Sequence, residues 1–211
     1  MLALVGLMLL AAPAHAAERQ PLPPLLQDVE KHYSTAATLK ADFVQVNELA
    51  ALNRTKESNG TIYFKRPDKL RWETKAPEPN LLVSDGKKFW FYTPPFDATE
   101  DGQVVIRKSS EVQTRLARAL LSGAFSAARD MTIKPLEAGE FELIPKKGTA
   151  GSVLKCLIHI DGPSKLIDRL VLEHAGGNRS EIRLTGIELG KPLEKGLFSF
   201  TPPPHTETHR E

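Results

Sequence analysis

The sequence predicts a mainly β (α+β) protein built on one strongly curved antiparallel sheet. About ten segments show the period-two alternation of strands. Tight turns rich in Gly, Asp and Asn separate consecutive segments, which is typical of antiparallel neighbours. Only two amphipathic helices are predicted, too few to cover both faces of so large a sheet. We therefore expect the sheet to curl into a half-open barrel, with the helices as a lid over the concave face.

The central stretch, Gly60 to Tyr92, contains both tryptophans. Its first strand places Ile62, Phe64 and Arg66 on one face, because side chains alternate along a strand. An arginine therefore shares a face with apolar side chains. Pro67 cannot donate to a strand ladder and restricts the preceding residue, so we expect this strand to end there.

The next segments continue the antiparallel series. Lys69 to Lys75 alternates strictly, with Leu70 and Trp72 on the same face. Asp85-Gly86 joins the following two strands and predicts a hairpin with a two-residue type I′ turn. The Phe89 to Tyr92 strand is aromatic on both faces, so its pattern does not indicate which face is buried.

Two helices and further strands complete the predicted elements. A helix over Leu25 to Leu39 follows the helix-starting Pro23-Pro24, and a strand over Leu39 to Leu49 comes next. A second helix, Glu111 to Leu121, has Ser110 as its N-cap and Gly123 as its stop. The remaining predicted strands are Gln103–Arg107, Met131–Leu136, Glu140–Pro145, Val153–Asp161, Leu166–His174, Arg179–Leu189 and Lys195–Phe200.

The ends of the chain predict export and one domain. Leu2 to Ala12 is apolar but too short to cross a bilayer core of roughly 30 Å. Ala14 and Ala16 supply an A-x-A cleavage pattern, so we expect residues 1–16 to be a signal peptide, although the usual basic residues before it are missing. A late start codon or an atypical signal both remain open, and the alternative for the apolar run is a buried N-terminal helix. Residues 17–204 read as a single domain and 205–211 as a polar, frayed tail.

Charge and motif content exclude several functional classes. The formal net charge of +2 comes from interspersed charges, which gives no basic surface for nucleic acid. Cys156 is the one cysteine, so no intramolecular disulfide is possible, and none follows the apolar run to carry a lipid anchor. The sequence has no nucleophile elbow, P-loop or dinucleotide fingerprint, and its histidines show no credible metal-site spacing. We expect no enzyme activity, metal or cofactor; a hydrolase assembled from scattered residues is the alternative.

A set of short motifs distributed over the chain resembles a known family. The motifs are Lys65-Arg66-Pro67, Arg71-Trp72, Pro79, Leu82-Val83-Ser84-Asp85-Gly86, Trp90-Phe91-Tyr92-Pro94, the earlier Phe43-x-Gln45 and the later Phe198-x-Phe200-Thr201-Pro202-Pro203. They are similar to those of the LolA family of periplasmic lipoprotein carriers, over essentially the whole mature chain. LolB-type receptors share the fold but carry a cysteine just after the signal core. Its absence here favours a soluble carrier.

This resemblance implies a fold, a function and partners. The fold would be a half-open barrel of eleven antiparallel strands with a helical lid. The protein would be a periplasmic monomer without a cofactor. It would receive acylated lipoproteins from an inner-membrane LolCDE-type ABC transporter and deliver them to a LolB-type outer-membrane receptor. The alternative is a periplasmic carrier or sensor of another lipid or glycolipid on the same fold.

The resemblance also implies roles for individual residues. Arg66 would contact the lid helices and keep the empty cavity closed; the alternative is an ordinary ion pair at the rim. The candidate lipid-binding residues are Ile62, Phe64, Leu70, Trp72, Leu82 and Trp90. The alternative for these is ordinary sheet core, and at the position of Leu70 the family often has an aromatic residue.

Overall fold

The computed structural model describes residues 21–97, 99–108, 115–125 and 131–210. The predicted signal peptide, residues 1–16, lies outside them. Twelve strands of the described chain form a single sheet with the order β12-β6-β5-β4-β3-β2-β1-β11-β10-β9-β8-β7. In chain order the helices and strands are α1 (Pro24–Ser34), β1 (Thr38–Leu49), β2 (Arg54–Lys65), β3 (Lys69–Ala76), β4 (Asn80–Ser84), β5 (Lys88–Thr93), β6 (Gly102–Lys108), α2 (Arg115–Ser122), β7 (Met131–Pro135), β8 (Glu140–Pro145), β9 (Val153–Asp161), β10 (Leu166–His174), β11 (Arg179–Leu189) and β12 (Thr206–Arg210).

The predicted fold class is confirmed. The sheet is large and curved, its order ends at two edges, and it does not close into a barrel. Every neighbouring pair is antiparallel except β12 and β6, which run parallel. The predicted bounds of β8, β9, β10 and β11 agree with the structure, because each is an alternating run between clear turn signals. The strand number is one more than the resemblance implies.

Both helices pack on the concave face of the sheet. From α1, Leu26, Val29 and Tyr33 join one hydrophobic core with the inward side chains of the strands, and Leu116 and Ala119 join it from α2. Each fully buried aliphatic side chain contributes roughly 1.5–3 kcal/mol relative to an exposed one. The helices are therefore attached to the sheet mainly by these few apolar contacts.

The ends of the helices show where local signals succeed and fail. The first helix ends at Ser34, five residues before the predicted end, because Thr38 and Leu39 already belong to β1. The second helix ends just before Gly123, as predicted, where φ is +67° and a Cβ atom would lie 2.6 Å from that of Tyr33. The predicted cap Ser110 lies outside the described residues.

The β4–β5 hairpin is confirmed, but its predicted two-residue turn is wrong. Ser84 pairs with Phe89, and three residues, 85–87, lie between β4 and β5 rather than two. Gly86 has φ +94°, whereas a type I′ turn also needs a positive φ at Asp85, which is not among the residues with that conformation. The Asp85 carboxylate instead accepts hydrogen bonds from the main-chain N–H groups of Lys87 and Lys88, both at 2.7 Å. These bonds stabilise a longer loop.

The C-terminal predictions are wrong in two respects. Lys195 to Phe200 forms turns rather than a strand. Residues 206–210, expected to fray, form β12 and pair in parallel with β6 from Thr206 opposite Gly102 to Arg210 opposite Ile106. Strand pairing satisfies main-chain groups irrespective of side-chain polarity, so a polar segment can extend a sheet when the edge is available.

Candidate functional site

A cavity of about 530 Å³ lies on the concave side of the sheet, beneath the helices. Strands from the middle of the sheet and both helices contribute to its wall. Most of the lining is aliphatic or aromatic, and these side chains include Leu39, Ile62, Leu70, Trp72, Leu82, Phe91, Leu120, Leu121, Ile167, Leu170, Leu172, Ile182 and Leu184. A space of this size and lining suits an apolar ligand.

Strand register explains how residues distant in sequence form one apolar surface. Ile62 on β2 pairs with Trp72 on β3, Trp72 pairs with Leu82 on β4, and Leu82 pairs with Phe91 on β5. Directly paired residues point to the same face, so these four side chains form one row across four strands. Phe43 on β1 pairs with Gly60, next to this row, and its ring lies 4.8 Å from that of Trp72, centroid to centroid.

The structure brings four of the six predicted lipid-binding residues into this cavity: Ile62, Leu70, Trp72 and Leu82. Phe64 is on the same face but is buried in the core, beside Arg66 and the end of α1. Trp90 does not line the cavity. It pairs with Val83 and Ile106 on the opposite, convex face.

Phe91 is one of several cavity residues that the sequence pattern did not identify, and Leu170, Ile182 and Leu184 are others. The side chain of Phe91 lines the cavity and is 42% exposed. The strand is aromatic on both faces, so alternation alone could not separate Phe91 from Trp90. The pairing of Phe91 with Leu82 settles which face it occupies.

Arg66 lies where the two helices end. Its Nε donates to the carbonyl of Ala36 at 3.0 Å, and its Nη2 donates to the carbonyl of Tyr33 at 3.0 Å and to that of Ser122. Tyr33 belongs to the last turn of α1, and Ser122 is the last residue of α2. Carbonyls at helix C-termini lack helical partners and carry partial negative charge, so a guanidinium is well matched to them.

The geometry of Arg66 differs from that of a rim ion pair. Among the described residues its partners are main-chain carbonyls, and no carboxylate lies within ion-pair distance. One side chain thus connects β2 to the C-terminal ends of both helices. In the described site, Arg66 is the charged side chain that contacts both helices.

Two buried side chains beside the cavity, Tyr33 and Cys156, are part of the hydrophobic core. The amide N–H of Ile167 donates to the hydroxyl oxygen of Tyr33 at 3.1 Å, and burial raises the pKa of Tyr33 to about 12. Burial likewise raises the pKa of the Cys156 thiol to about 12, so it stays protonated and packs as a small apolar side chain. In the ranges described above, no helix has the length and apolarity needed to cross a membrane.

Comparison with known proteins identifies the family. The family model described as outer membrane lipoprotein carrier protein LolA matches residues 34–201. The chain belongs to the LolA family. The match includes the strands that line the cavity, Arg66 and the Phe198-x-Phe200 segment, and it ends before β12.

Relatives within the LolA family align over most of their length. An outer-membrane lipoprotein carrier protein from Dechloromonas aromatica (strain RCB) is 34% identical over 172 residues, which are 79% of this chain and 78% of the relative. One from Azotobacter vinelandii (strain DJ / ATCC BAA-1303) is 32% identical over 205 residues, or 95% of this chain and 92% of the relative. The family resemblance read from the short motifs is confirmed.

A solved structure supports the fold. The crystal structure of an uncharacterized conserved protein from Thermus thermophilus superposes with a TM-score of 0.51 at 14% identity, covering 88% of this chain and 97% of the other. At that identity the similarity concerns the fold alone. The shared fold therefore tolerates extensive change in side chains.

Proposed function

We propose that this protein carries lipoproteins through the periplasm, holding their acyl chains in the concave cavity. The observation that carries this proposal is the apolar cavity of about 530 Å³ covered by both helices. The relatives named outer-membrane lipoprotein carrier proteins support the same role. The proposed lipid-binding residues are Ile62, Leu70, Trp72, Leu82 and Phe91, because their side chains line the cavity.

Transfer of acyl chains between membranes requires a cavity that shields the chains from water. Each methylene exposed to water costs roughly 0.8 kcal/mol, so three acyl chains carry a penalty on the order of 30 kcal/mol. Unaided passage through an aqueous compartment is negligible against such a barrier. The cavity offsets part of this penalty, and release requires that the chains are not held too tightly.

The helices act as a lid that opens under cargo. Leu120 and Leu121 of α2 line the cavity, so outward movement of this helix enlarges the space. The three hydrogen bonds of Arg66 hold both helix ends on the sheet in the closed form. Opening breaks these hydrogen bonds, so the open, loaded form lacks a stabilisation that the closed, empty form has. This difference in free energy favours release of the cargo. We call this set of contacts the Arg66 latch.

The carrier acts as a monomer between two membrane partners. A LolCDE-type ABC transporter in the inner membrane loads it, and a LolB-type receptor in the outer membrane accepts its cargo. The protein itself needs no metal or nucleotide to bind cargo. An export signal in residues 1–16 places it in the periplasm.

Mass spectrometry of molecules that co-purify with the periplasmic protein tests the proposal. Diacylated or triacylated peptides are the expected result. Free lipids or glycolipids in their place would indicate a carrier of another class. A protein that is always empty and takes up no acylated peptide in vitro would refute a carrier role altogether.

A further inference from the structure

The concave face changes from apolar to polar at the end far from the helices. Six strands contribute polar side chains to this end of the cavity, and the polar lining residues are Gln45, Asn47, Ser58, Thr74, Asn80, His174 and Ser180, together with the charged Lys56 and Glu78. Asn47 pairs directly with Lys56 on one side and with Ser180 on the other. Register therefore places these three residues side by side, and they form part of the polar end wall of the cavity.

Four of these side chains and Ser152 form a connected hydrogen-bond chain. Gln45 Nε2 and Ser180 Oγ both donate to Asn47 Oδ1, at 2.8 and 2.7 Å. His174 Nε2 lies 3.3 Å from Ser180 Oγ, and its Nδ1 lies 3.0 Å from Ser152 Oγ. Because the Ser180 hydroxyl already donates to Asn47, it accepts from His174 Nε2–H, and Nδ1 accepts from Ser152.

A second space adjoins the apolar cavity across this wall. Its volume is about 270 Å³, and it shares Asn47, Lys56, His174 and Ser180 with the larger cavity. We call it the polar subpocket. A molecule that is apolar at one end and polar at the other could occupy both spaces at once.

The charged groups of the polar subpocket are already paired. Arg179 contacts Glu48 at 2.9 Å and Glu181 at 3.0 Å, and Lys56 is paired with Glu78. A phosphate would compete with these carboxylates for the cations. The serine, asparagine and histidine groups instead suit an uncharged polar ligand, such as an ester, which accepts hydrogen bonds, or an amide, which both donates and accepts them.

We propose that the polar subpocket binds the ester and amide groups at the lipid-modified N-terminus of the cargo, while the acyl chains occupy the apolar cavity. This inference rests on the proposed carrier function and specifies its ligand. The polar end of the cavity then distinguishes an acylated peptide from a free fatty acid, which has no peptide groups, and from a phospholipid, which brings a phosphate.

Binding measurements with three probes test the inference: a dipalmitoylglyceryl-cysteinyl peptide, palmitate and phosphatidylglycerol. Ser180→Ala and His174→Leu are expected to weaken binding of the acylated peptide roughly three- to tenfold, because they break the hydrogen-bond chain that orients the polar side chains of this wall toward the ligand. Palmitate and phosphatidylglycerol binding should not change. His174→Gln keeps a donor and an acceptor and should restore most of the affinity. His205→Leu is the matched control, since that side chain is 86% exposed and lies just before β12, at the edge of the sheet.

Thermal melting of each variant verifies that it folds before binding is compared. Equal weakening of all three probes would overturn the inference, because it would mean that these residues only shape the cavity. Unchanged binding of the acylated peptide would overturn it as well. If the wild-type protein binds palmitate as tightly as the acylated peptide, the polar subpocket has no such role while acyl binding stands. If it binds no acyl probe, the carrier function itself fails.

Discussion

Trp90 and Phe91 are adjacent in sequence and similar in chemistry, yet they belong to two different regions of the molecule. Phe91 lines the concave cavity under the helices. Trp90 lies on the convex face, where the neighbouring Val83 and Val104 are fully buried. One face of these strands thus lines the cavity, and the other carries closely packed side chains.

The difference lies in what covers each face. The Leu197–Phe200 segment crosses the convex face, where Arg71 Nη1 donates to the carbonyl of Leu197 at 3.3 Å and the ring of Phe200 lies 5.1 Å from that of Tyr92. Phe198 in this segment is buried. The concave face is covered by helices that leave a cavity and are held at their ends by Arg66. The packed cover belongs to the fold, whereas the proposed carrier function requires the helical cover to open.

A charge on the concave face should have the largest effect. We expect Phe91→Asp to weaken acylated-peptide binding at least about hundredfold, because a carboxylate beside acyl chains loses its hydration. Val44→Asp is the matched control: Val44 is 41% exposed and Phe91 42%, but Val44 lies on the convex face of β1. Equilibrium binding of a fluorescent acylated peptide measures both variants. Equal losses in the two would contradict the division between the faces.

Removal of the convex cover should affect stability rather than binding. Phe198→Ala deletes a buried ring and should lower the free energy of unfolding by about 3 kcal/mol, with a fall in Tm of roughly 10 °C. Differential scanning calorimetry measures this change. Phe96→Ala serves as control because Phe96 is 91% exposed, and it should change stability by less than about 0.5 kcal/mol. Loss of acylated-peptide affinity by folded Phe198→Ala protein would show that the convex cover also affects the cavity.

Arg66 on the concave face and Arg71 on the convex face can be compared to test the Arg66 latch. Arg66→Leu replaces the arginine with an apolar side chain that has no hydrogen-bond donors. The closed form then loses the hydrogen bonds between this residue and the ends of both helices. Cargo should still bind, while transfer to the receptor should fall at least about tenfold. An in vitro transfer assay from loaded carrier to receptor measures this rate.

Arg71→Leu is the control for this assay. Arg71 also donates to a main-chain carbonyl, but on the convex face, and it forms an ion pair with Glu73. We expect a loss of stability of about 1 kcal/mol or less and normal transfer. Wild-type transfer by folded Arg66→Leu protein would exclude the latch whatever the outcome for the carrier function.

Acid titration of the convex face should give the smallest effect. Burial opposes ionisation of Glu181, but hydrogen bonds and charges from Arg179 and Arg183 outweigh it and hold the pKa of that carboxyl below its usual range. Ionised Glu181 therefore contributes fully to the free energy of unfolding above its pKa in the unfolded chain, about 4.3. This contribution is lost as the pH falls through the lower pKa of the folded protein. Glu181→Gln should remove up to about 1 kcal/mol at neutral pH and flatten the fall in stability below pH ~4. Urea unfolding across this range measures it, and an unaltered pH profile in the variant would contradict the assignment.

The sequence by itself determined most of the strands, the family and the residues that share a face along each strand. Alternation of side chains over Val153–Asp161, Leu166–His174 and Arg179–Leu189 predicted those strands to the residue, because that period is a local property of the extended chain. Ile62, Leu70 and Trp72 were likewise found from alternation and the family motifs. Their common face follows from pairing that the short turns between strands make almost unavoidable.

Tertiary structure alone decided which face is the cavity and what closes it. Trp90 and Phe91 can be distinguished only once β5 is paired with β4, because a strand with aromatic residues on both faces carries no preference of its own. The tail formed β12 because the edge of β6 was available to its main chain, which its polar side chains could not indicate. The partners of Arg66 are main-chain carbonyls 30, 33 and 56 residues away in sequence. Every residue has a carbonyl, so no sequence pattern marks those three, and only the packing of both helix ends against β2 brings them to one guanidinium.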